Sequence, residues 1–347
     1  VYVLIIARQI LYPIVLALLF SYFIYPLVSL LENKLRFPKS LAALTGLIVF
    51  GGFMYGVGNL IAAQVNVFVG DFPVLKEQAL KNFDALQVFV YDNFGITAVD
   101  QNLWMKEKIA EIFESGGEIL SGVLHKATGA LEALIFIPIF SFFMLSYRHR
   151  GYNFVLKLVE KRDGDLTEKL LEQISKVTIK YVTGVLSVVA ILAVSHSTAL
   201  SIIGVKYAII LGIFAAVFSV IPYFGTLIGG LVPLLVSAAT MGNPYILVAI
   251  MLYFWAIIFI DHNILTPMIV GGNVSLNPFI TILGIIIAST IWGIPGMIVV
   301  VPVLAVVKIV CDNIEGLKPW GYLLGGEDHG VFFDKVKGIA NRFKRKS

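Results

Sequence analysis

Residues 207–239 have the sequence YAIILGIFAAVFSVIPYFGTLIGGLVPLLVSAA, and residues 278–310 have the sequence PFITILGIIIASTIWGIPGMIVVVPVLAVVKIV. Each run holds 33 residues. As one straight helix, either run would measure about 50 Å and overshoot a hydrocarbon core about 30 Å thick. Helix breakers lie near the middle of both runs: Pro222 and Gly225 in the first, and Gly293, Pro295 and Gly296 in the second. Each run is therefore predicted to be either a kinked crossing or a re-entrant hairpin of two half-helices.

The composition of the whole chain indicates a membrane protein. Hydrophobic residues make up 58% and charged residues 14% of its 347 positions, whereas about a quarter of the residues in ordinary globular proteins are charged. The strong alternation of barrel strands is missing, so the spanning elements are predicted to be helices. We expect an all-α polytopic membrane helix bundle with about seven to eight membrane segments. They lie at residues 10–31, 41–69, 127–147, 181–204, 207–239, 244–270 and 278–310, and Val1 to Ala7 resembles the end of a further helix.

Lysine and arginine residues predict the orientation of the chain, because cytoplasmic loops are enriched in them. The short loop around Arg36, residues 148–180 and the tail are rich in these residues and should be cytoplasmic, whereas residues 71–126 should face outward. The predicted organisation is 1–70, N-terminal membrane helices; 71–126, outward-facing helical segment; 127–147, membrane helix; 148–180, cytoplasmic helical segment; 181–310, membrane core with the broken helices; and 311–347, basic cytoplasmic tail.

Two amphipathic patterns lie outside the membrane segments. In the outward-facing segment an apolar stripe is formed by Leu75, Ala79, Phe83, Leu86 and Val90. This stripe has too little core of its own, so we expect it to pack on a neighbouring surface and to support self-association. In the tail a second stripe, surrounded by basic residues, is formed by Phe332, Val336, Ile339 and Phe343. It predicts either a helix on the anionic cytoplasmic leaflet or a solvated tail.

Asp261 is the most conspicuous ionisable residue in the membrane segments, and His262 and Asn263 follow it. Charges near the bilayer centre are costly and usually face the bundle interior, where they mark ion or substrate pathways. Successive helical residues lie about 100° apart, so the three side chains cannot all point inward unless the helix unwinds. Pro267 favours unwinding because it frees the carbonyl of Asn263. If the helix instead ends at Ile260, Asp261 lies at an interface and merely caps or pairs.

Other chemistry in the sequence is sparse. Ser195, His196 and Ser197 interrupt segment 181–204, and the histidine is interpreted as a packing or interface residue. Cys311 is the single cysteine, which excludes an intrachain disulfide and argues against a multi-cysteine metal or redox site. No phosphate-binding loop, HExxH motif or GxSxG elbow occurs. We therefore expect no enzyme activity, no cofactor, no metal site and no nucleic-acid partner.

The residues resemble those of the autoinducer-2 exporter family, a group of bacterial PerM-like permeases. The resemblance is clearest in IPYFGTLIGGLVP from Ile221, IDHNILTPMIVGGNVSLNP from Ile260 and GIPGMIVVVPVLAVVK from Gly293. It extends more loosely to SYFIYPLVSLLENKLRFPKSLAAL near the start. By resemblance, the family's carboxylate-Asn-Pro pattern and Pro-Gly breaks map onto Asp261, Asn263, Pro267, Pro222, Gly225, Gly293, Gly296 and Pro302. Together with Pro295, the first seven are the expected substrate or ion pathway.

The resemblance implies an oligomeric, multi-pass transporter in the bacterial cytoplasmic (inner) membrane. Some relatives are linked to export of autoinducer-2, a small polar quorum-sensing signal, and others to sodium or lithium exchange for protons. We expect a secondary transporter that exports a small polar solute such as autoinducer-2 by alternating access. The expected partners are membrane lipid, the solute or a cation, and further copies of the chain. Two alternatives stay open: a sodium (lithium)/proton antiporter that uses Asp261, and a membrane assembly scaffold that does not transport.

Overall fold

The computed structural model of the chain describes residues 5–71, 73–75, 77–79, 81–82, 111, 131–159, 164–221, 224–241, 243–270 and 275–326. Helices account for nearly all of them. They are α1 (Arg8–Asn33), α2 (Lys39–Gly70), α3 (Leu131–Ser146), α4 (Arg148–Val159), α5 (Gly164–Ile203), α6 (Ala208–Phe218), α7 (Phe224–Met241), α8 (Pro244–Ile260), α9 (Thr266–Ile269), α10 (Pro278–Trp292), α11 (Ile294–Asn313) and α12 (Lys318–Leu324). A π-helical turn, Asp261–Leu265, joins α8 to α9, and a 3-10 turn, Glu315–Leu317, precedes α12. The all-α prediction is confirmed.

Five helical stretches of the described residues are long and apolar enough to cross a membrane: Arg8–Asn33, Lys39–Phe68, Gly164–Ile203, Pro244–Ile269 and Ile294–Asn313. Large apolar side chains on these stretches are widely exposed, among them Tyr55 (76%), Leu60 (72%), Ile202 (81%) and Trp255 (72%). Contiguous apolar surface of this kind is expected where lipid, and not water, surrounds the protein. The chain is therefore an all-α polytopic membrane helix bundle.

The helices belong to two compact units. The first holds the described residues of 1–23, 147–183 and 270–347, and the second holds those of 24–146 and 184–269. In the second unit α1 packs on α2, because a Cβ at Gly46 would contact Val28 and Ile24. α5 is continuous over 40 residues, so the predicted boundary between residues 180 and 181 lies inside one helix.

The first of the two long apolar runs forms a helical hairpin, which we call hairpin A. It consists of α6 and α7 in the second unit. A Cβ at Gly225 would collide with the carbonyl oxygen of Phe218, and one at Gly229 would lie 2.7 Å from that of Ala215. Moving along α7 away from the break thus leads back along α6, so the two helices run antiparallel in contact. Pro222 lies outside the described residues.

The second run forms hairpin B, which consists of α10 and α11 in the first unit. A Cβ at Gly296 would collide with the carbonyl oxygen of Ala288, and one at Gly284 would lie 2.9 Å from Leu304 Cδ1. The hairpin alternative therefore holds for both runs, and the kinked crossing does not. The shorter arms, α6 with 11 residues and α10 with 15, measure about 16 and 22 Å, too short to cross a core of about 30 Å.

A buried apolar cluster in the second unit joins the ends of α2 and α5 to hairpin A and α8. Its members include Phe68, Leu200, Leu211, Ile250 and Phe254. Leu75 also belongs to this cluster, and Ala79 is 6% exposed. The apolar stripe of residues 75–90 is thus buried at its first two positions. Its other three positions (Phe83, Leu86 and Val90) and the stripe in the tail lie outside the described residues.

A polar contact fastens the connection between α5 and α6 to the end of α2. The Tyr207 hydroxyl donates a hydrogen bond to Asp71 Oδ2, and Lys206 Nζ lies 3.4 Å from the same oxygen. Tyr207 adopts a positive φ of 63°, which is uncommon for a bulky residue. The hydrogen bond from Tyr207 lowers the pKa of Asp71, and Lys206 lowers it further.

Candidate functional site

Asp261 lies at a change in helical winding. α8 begins at Pro244, where the Asn243 side chain accepts a hydrogen bond from the Tyr245 amide at 3.0 Å. After Ile260 the backbone widens into the π-helical turn, in which the Thr266 amide donates to the carbonyl of Asp261, five residues earlier. Pro267 follows and has no amide hydrogen, so an ordinary α-helical ladder cannot continue through it. The helix therefore widens here, whereas the sequence favoured unwinding.

The Asp261 carboxylate is buried, with 5% of the residue exposed. Its Oδ1 accepts a hydrogen bond of 2.7 Å from the Thr266 hydroxyl. Within the described part of the chain no basic side chain pairs with it. Removing a carboxylate from water costs several kcal/mol unless a proton, a cation or further hydrogen bonds compensate. Asp261 is therefore a buried carboxylate that accepts a hydrogen bond from Thr266, and the interfacial alternative for it stays open.

The other residues that the sequence analysis named in this turn are less buried than Asp261. His262 and Asn263 are exposed, and the Asn263 amide donates to the Phe259 carbonyl at 2.8 Å. Pro267 is half-buried. The three consecutive polar side chains do not all face inward, as the angular spacing of helical residues predicts. Only Asp261 of the three is buried. The Asn263 side chain is satisfied on its own helix.

A small cavity adjoins Asp261 inside the second unit. Its polar lining consists of Asp261, Thr226 of α7 and His196 of α5. Its apolar lining consists of Leu192, Ala215, Phe254, Ile257 and Ile258. The space open to the centre of a water molecule is about 10 Å³, about what one water needs. Thr226 follows Gly225 directly, so the structure brings the break in hairpin A to the same cavity as Asp261.

His196 is the residue that the sequence interpretation missed. It is 4% exposed, its Nδ1 lies 2.8 Å from the Tyr253 hydroxyl, and its ring stacks on Phe254 at 5.1 Å between centroids. The Tyr253 hydroxyl also lies 3.0 Å from Ser195 Oγ. The available signal was a polar triplet within an apolar segment, but its position beside Asp261 depends on the packing of α5 against α8.

Three of the predicted residues belong to hairpin B in the first unit. Gly293 separates the two arms with φ +65° and ψ −141°. Pro295 lies in the first turn of α11, where its missing amide hydrogen costs nothing. Gly296 permits the close approach to Ala288. In the structure these three residues form the break and the close helix contact of hairpin B. A site that they share with Asp261 stays a prediction.

The comparison with known families is decisive at this point. The sequence profile described as AI-2E family transporter matches residues 1–316. The chain belongs to the AI-2E transporter family. The recognition made from the Pro and Gly motifs is thereby confirmed, and a membrane transport role is supported.

Relatives of this AI-2E family chain carry names that denote candidate transport proteins. YueF of Bacillus subtilis (strain 168) is 28% identical over 317 residues, covering 88% of this chain and 84% of YueF. YrrI of the same organism is 26% identical over 313 residues, with coverage of 87% and 86%. YhhT of Escherichia coli (strain K12) is 22% identical over 329 residues, with coverage of 92% and 89%. These similarities extend over both units of the fold.

Proposed function

We propose that the chain is a secondary transporter, and not an enzyme, that exports a small polar solute such as autoinducer-2 from bacteria. The single observation that carries this proposal is the buried Asp261 carboxylate beside hairpin A, in a chain of a transporter family. Intramembrane carboxylates of this kind mark ion or proton pathways. Asp261 would bind the coupling proton, and a change in its charge would bias the two states of alternating access.

Hairpin A supplies an element that can respond to that charge. Thr226 lines the cavity together with Asp261, while close glycine contacts hold α7 to α6. Interrupted helices beside a polar site are typical of secondary transporters, in which one element rocks against another around the site. Protonation of Asp261 removes the cost of a buried charge, so the two charge states favour different arrangements of hairpin A.

Purified protein in liposomes tests this function. Labelled autoinducer-2 flux is measured with an imposed pH gradient for the wild type and for Asp261→Asn, which preserves size and hydrogen bonding but removes the charge. We expect the pH gradient to drive flux in the wild type and not in the variant. Equal gradient-driven flux in both proteins, at matched protein density, would refute the coupling role of Asp261.

Sodium or lithium exchange for protons is the second candidate function. The observation that favours it is the small volume beside Asp261, which suits a proton, a water or a small ion better than an organic solute. In the same liposomes, a sodium gradient without any solute should then drive proton movement that Asp261→Asn abolishes. Absence of sodium-driven proton movement in the wild type would exclude this candidate.

We further propose that the protein resides in the bacterial cytoplasmic membrane with residues 71–126 outside, as the lysine and arginine distribution predicts. Single cysteines at positions 92 and 165 on a Cys311→Ala background test this topology with a membrane-impermeant thiol reagent. Position 92 should react in intact cells and position 165 should not. The opposite pattern would contradict the proposed orientation.

A further inference from the structure

A second residue that can bind a proton, His196, lines the cavity beside Asp261. His196 comes from α5 and Asp261 from the turn after α8, and both line the same small space. His196 is 4% and Asp261 5% exposed. Packing alone does not require an imidazole at a position that lines the same cavity as a buried carboxylate. The proposed transport function does not by itself assign any role to this histidine.

The hydrogen bonds of His196 leave one ring nitrogen for the cavity. Nδ1 contacts the Tyr253 hydroxyl at 2.8 Å, and that hydroxyl contacts Ser195 Oγ at 3.0 Å. When Nδ1–H donates to Tyr253, the Tyr253 hydroxyl donates to Ser195, and Nε2 carries a free lone pair. A partner on one nitrogen sets the tautomer and so defines what the other nitrogen does. For Nε2 no hydrogen-bond partner occurs among the described residues.

The cavity suits one bridging water. The space open to the centre of a water molecule is about 10 Å³, close to what a single water needs, and a buried water needs two to four polar partners. The Asp261 carboxylate, the Thr226 hydroxyl and the His196 ring are three such partners. The remaining lining is apolar, so a water held there would be directed toward these groups.

We propose that His196 exchanges the coupling proton with Asp261 through one water in this cavity, and that Tyr253 is a positioning residue that orients the His196 ring. This inference rests on the proposed function of Asp261. The O–H bond of the protonated Asp261 carboxyl breaks and its proton passes to the water. The water gives another of its protons to His196 Nε2, where an N–H bond forms. A carboxylate and an imidazolium result, and no electrons are exchanged.

The surroundings make this exchange specific to the pair. The cavity-lining residues of α6 and α7 are Ala215 and Thr226, and those of α8 are apolar. Tyr253 contacts the His196 ring edge-to-face, and His262 is exposed. Within the described residues of this unit, Asp261, His196 and Tyr253 are therefore the titratable groups at the cavity. The ion pair formed by the transfer is compensated internally, whereas either charge alone costs several kcal/mol.

Nitrogen-15 NMR of histidine-labelled protein in lipid nanodiscs tests the coupling without any solute. His196→Gln identifies the His196 signals, and their chemical shifts distinguish the two neutral tautomers from the imidazolium. We expect Asp261→Asn to change the titration midpoint of His196 by about one pH unit or more, as for coupled sites. The control Asp71→Asn removes a carboxylate that does not line the cavity and should leave the midpoint unchanged. A midpoint that does not respond to Asp261→Asn overturns the proposal.

Flux measurements separate this inference from the proposed function. His196→Gln should slow proton-coupled autoinducer-2 flux in liposomes by on the order of tenfold or more, because a positioned proton carrier is lost. The control His262→Gln alters the exposed histidine next to Asp261 and should transport normally. Loss of flux in Asp261→Asn with normal flux in His196→Gln would refute the inference and leave the function intact. Unaltered gradient-driven flux in Asp261→Asn would refute the coupling role of Asp261, and the NMR titration would still decide the pairing.

Discussion

Replacing Gly229 with alanine should weaken hairpin A by an amount that can be worked out from the contact itself. The added Cβ would lie 2.7 Å from the carbonyl oxygen of Ala215 and 3.0 Å from its Cα. Non-bonded carbon contacts are most favourable at about 3.5–4.0 Å. Because the obstructing atoms belong to the backbone, no side-chain rotation relieves the contact. α6 and α7 must therefore separate by roughly 0.5–1 Å, which also weakens their other contacts.

The expected cost follows from two opposing terms. Overpacking of a well-packed interface costs about 1–3 kcal/mol, while replacing glycine by alanine in a helix gains up to about 1 kcal/mol. Gly56→Ala is the matched control, because a Cβ at Gly56 in α2 has no atom within 4 Å. Both variants share the helical gain, so their difference isolates the contact. Gly229→Ala should be less stable than Gly56→Ala by about 1–3 kcal/mol.

Equilibrium unfolding in mixed detergent micelles, followed by tryptophan fluorescence, measures this difference. The wild type and both variants are compared at the same detergent composition, and the free energies of unfolding are read at a common point. Gly56→Ala should equal or exceed the wild type in stability, and Gly229→Ala should fall below it. Equal stability of the two variants would mean that α6 and α7 do not pack side by side. The kinked crossing would then return as the better description of residues 207–239.

Three further predictions concern other parts of the chain. Because the folded-state pKa of Asp71 is lowered, the stabilisation it gives is present above about pH 4 and lost as the pH falls below that value. Melting curves at neutral and acid pH should thus differ less in Asp71→Asn than in the wild type. Gly293→Ala should destabilise the protein by about 1–3 kcal/mol through its φ of +65° alone, since no atom lies near its Cβ; an unchanged melting midpoint would contradict this. Phe83→Asp combined with Leu86→Asp should reduce the oligomer mass measured by light scattering, whereas an unaltered mass would rule out self-association through this stripe.

Much of the helical framework is predictable because it depends on local sequence. Apolar runs of sufficient length become helices in any environment that lacks water, since each helix satisfies its own backbone hydrogen bonds. The breaks before Gly225 and at Gly293 follow from the loss of a backbone donor at proline and the conformational freedom of glycine. Helical periodicity predicts that Asp261, His262 and Asn263 do not all face inward, because neighbouring residues point in different directions. That Asp261 is the buried one is an observation of the structure.

How these helices pack against one another depends on contacts between residues that are far apart in the sequence. A proline break permits a kink or a hairpin, and the choice depends on whether Gly225 and Gly229 find backbone partners on the preceding helix. The widened turn at Asp261 likewise depends on the Thr266 contacts that compensate for Pro267. Neither set of contacts produces a periodic signal in the sequence.

The shared cavity of His196 and Asp261 is the clearest example of an arrangement that the sequence does not predict. Hydropathy is sufficient to place both residues in apolar helices, and Asp261 stood out because a carboxylate is the costlier group to bury. It assigned no importance to His196, since a histidine within an apolar segment is compatible with simple packing. The two residues are 65 positions apart in the chain, and they share a cavity because α5, hairpin A and α8 pack together. That packing depends on side-chain shape across separate helices, which local periodicity does not encode.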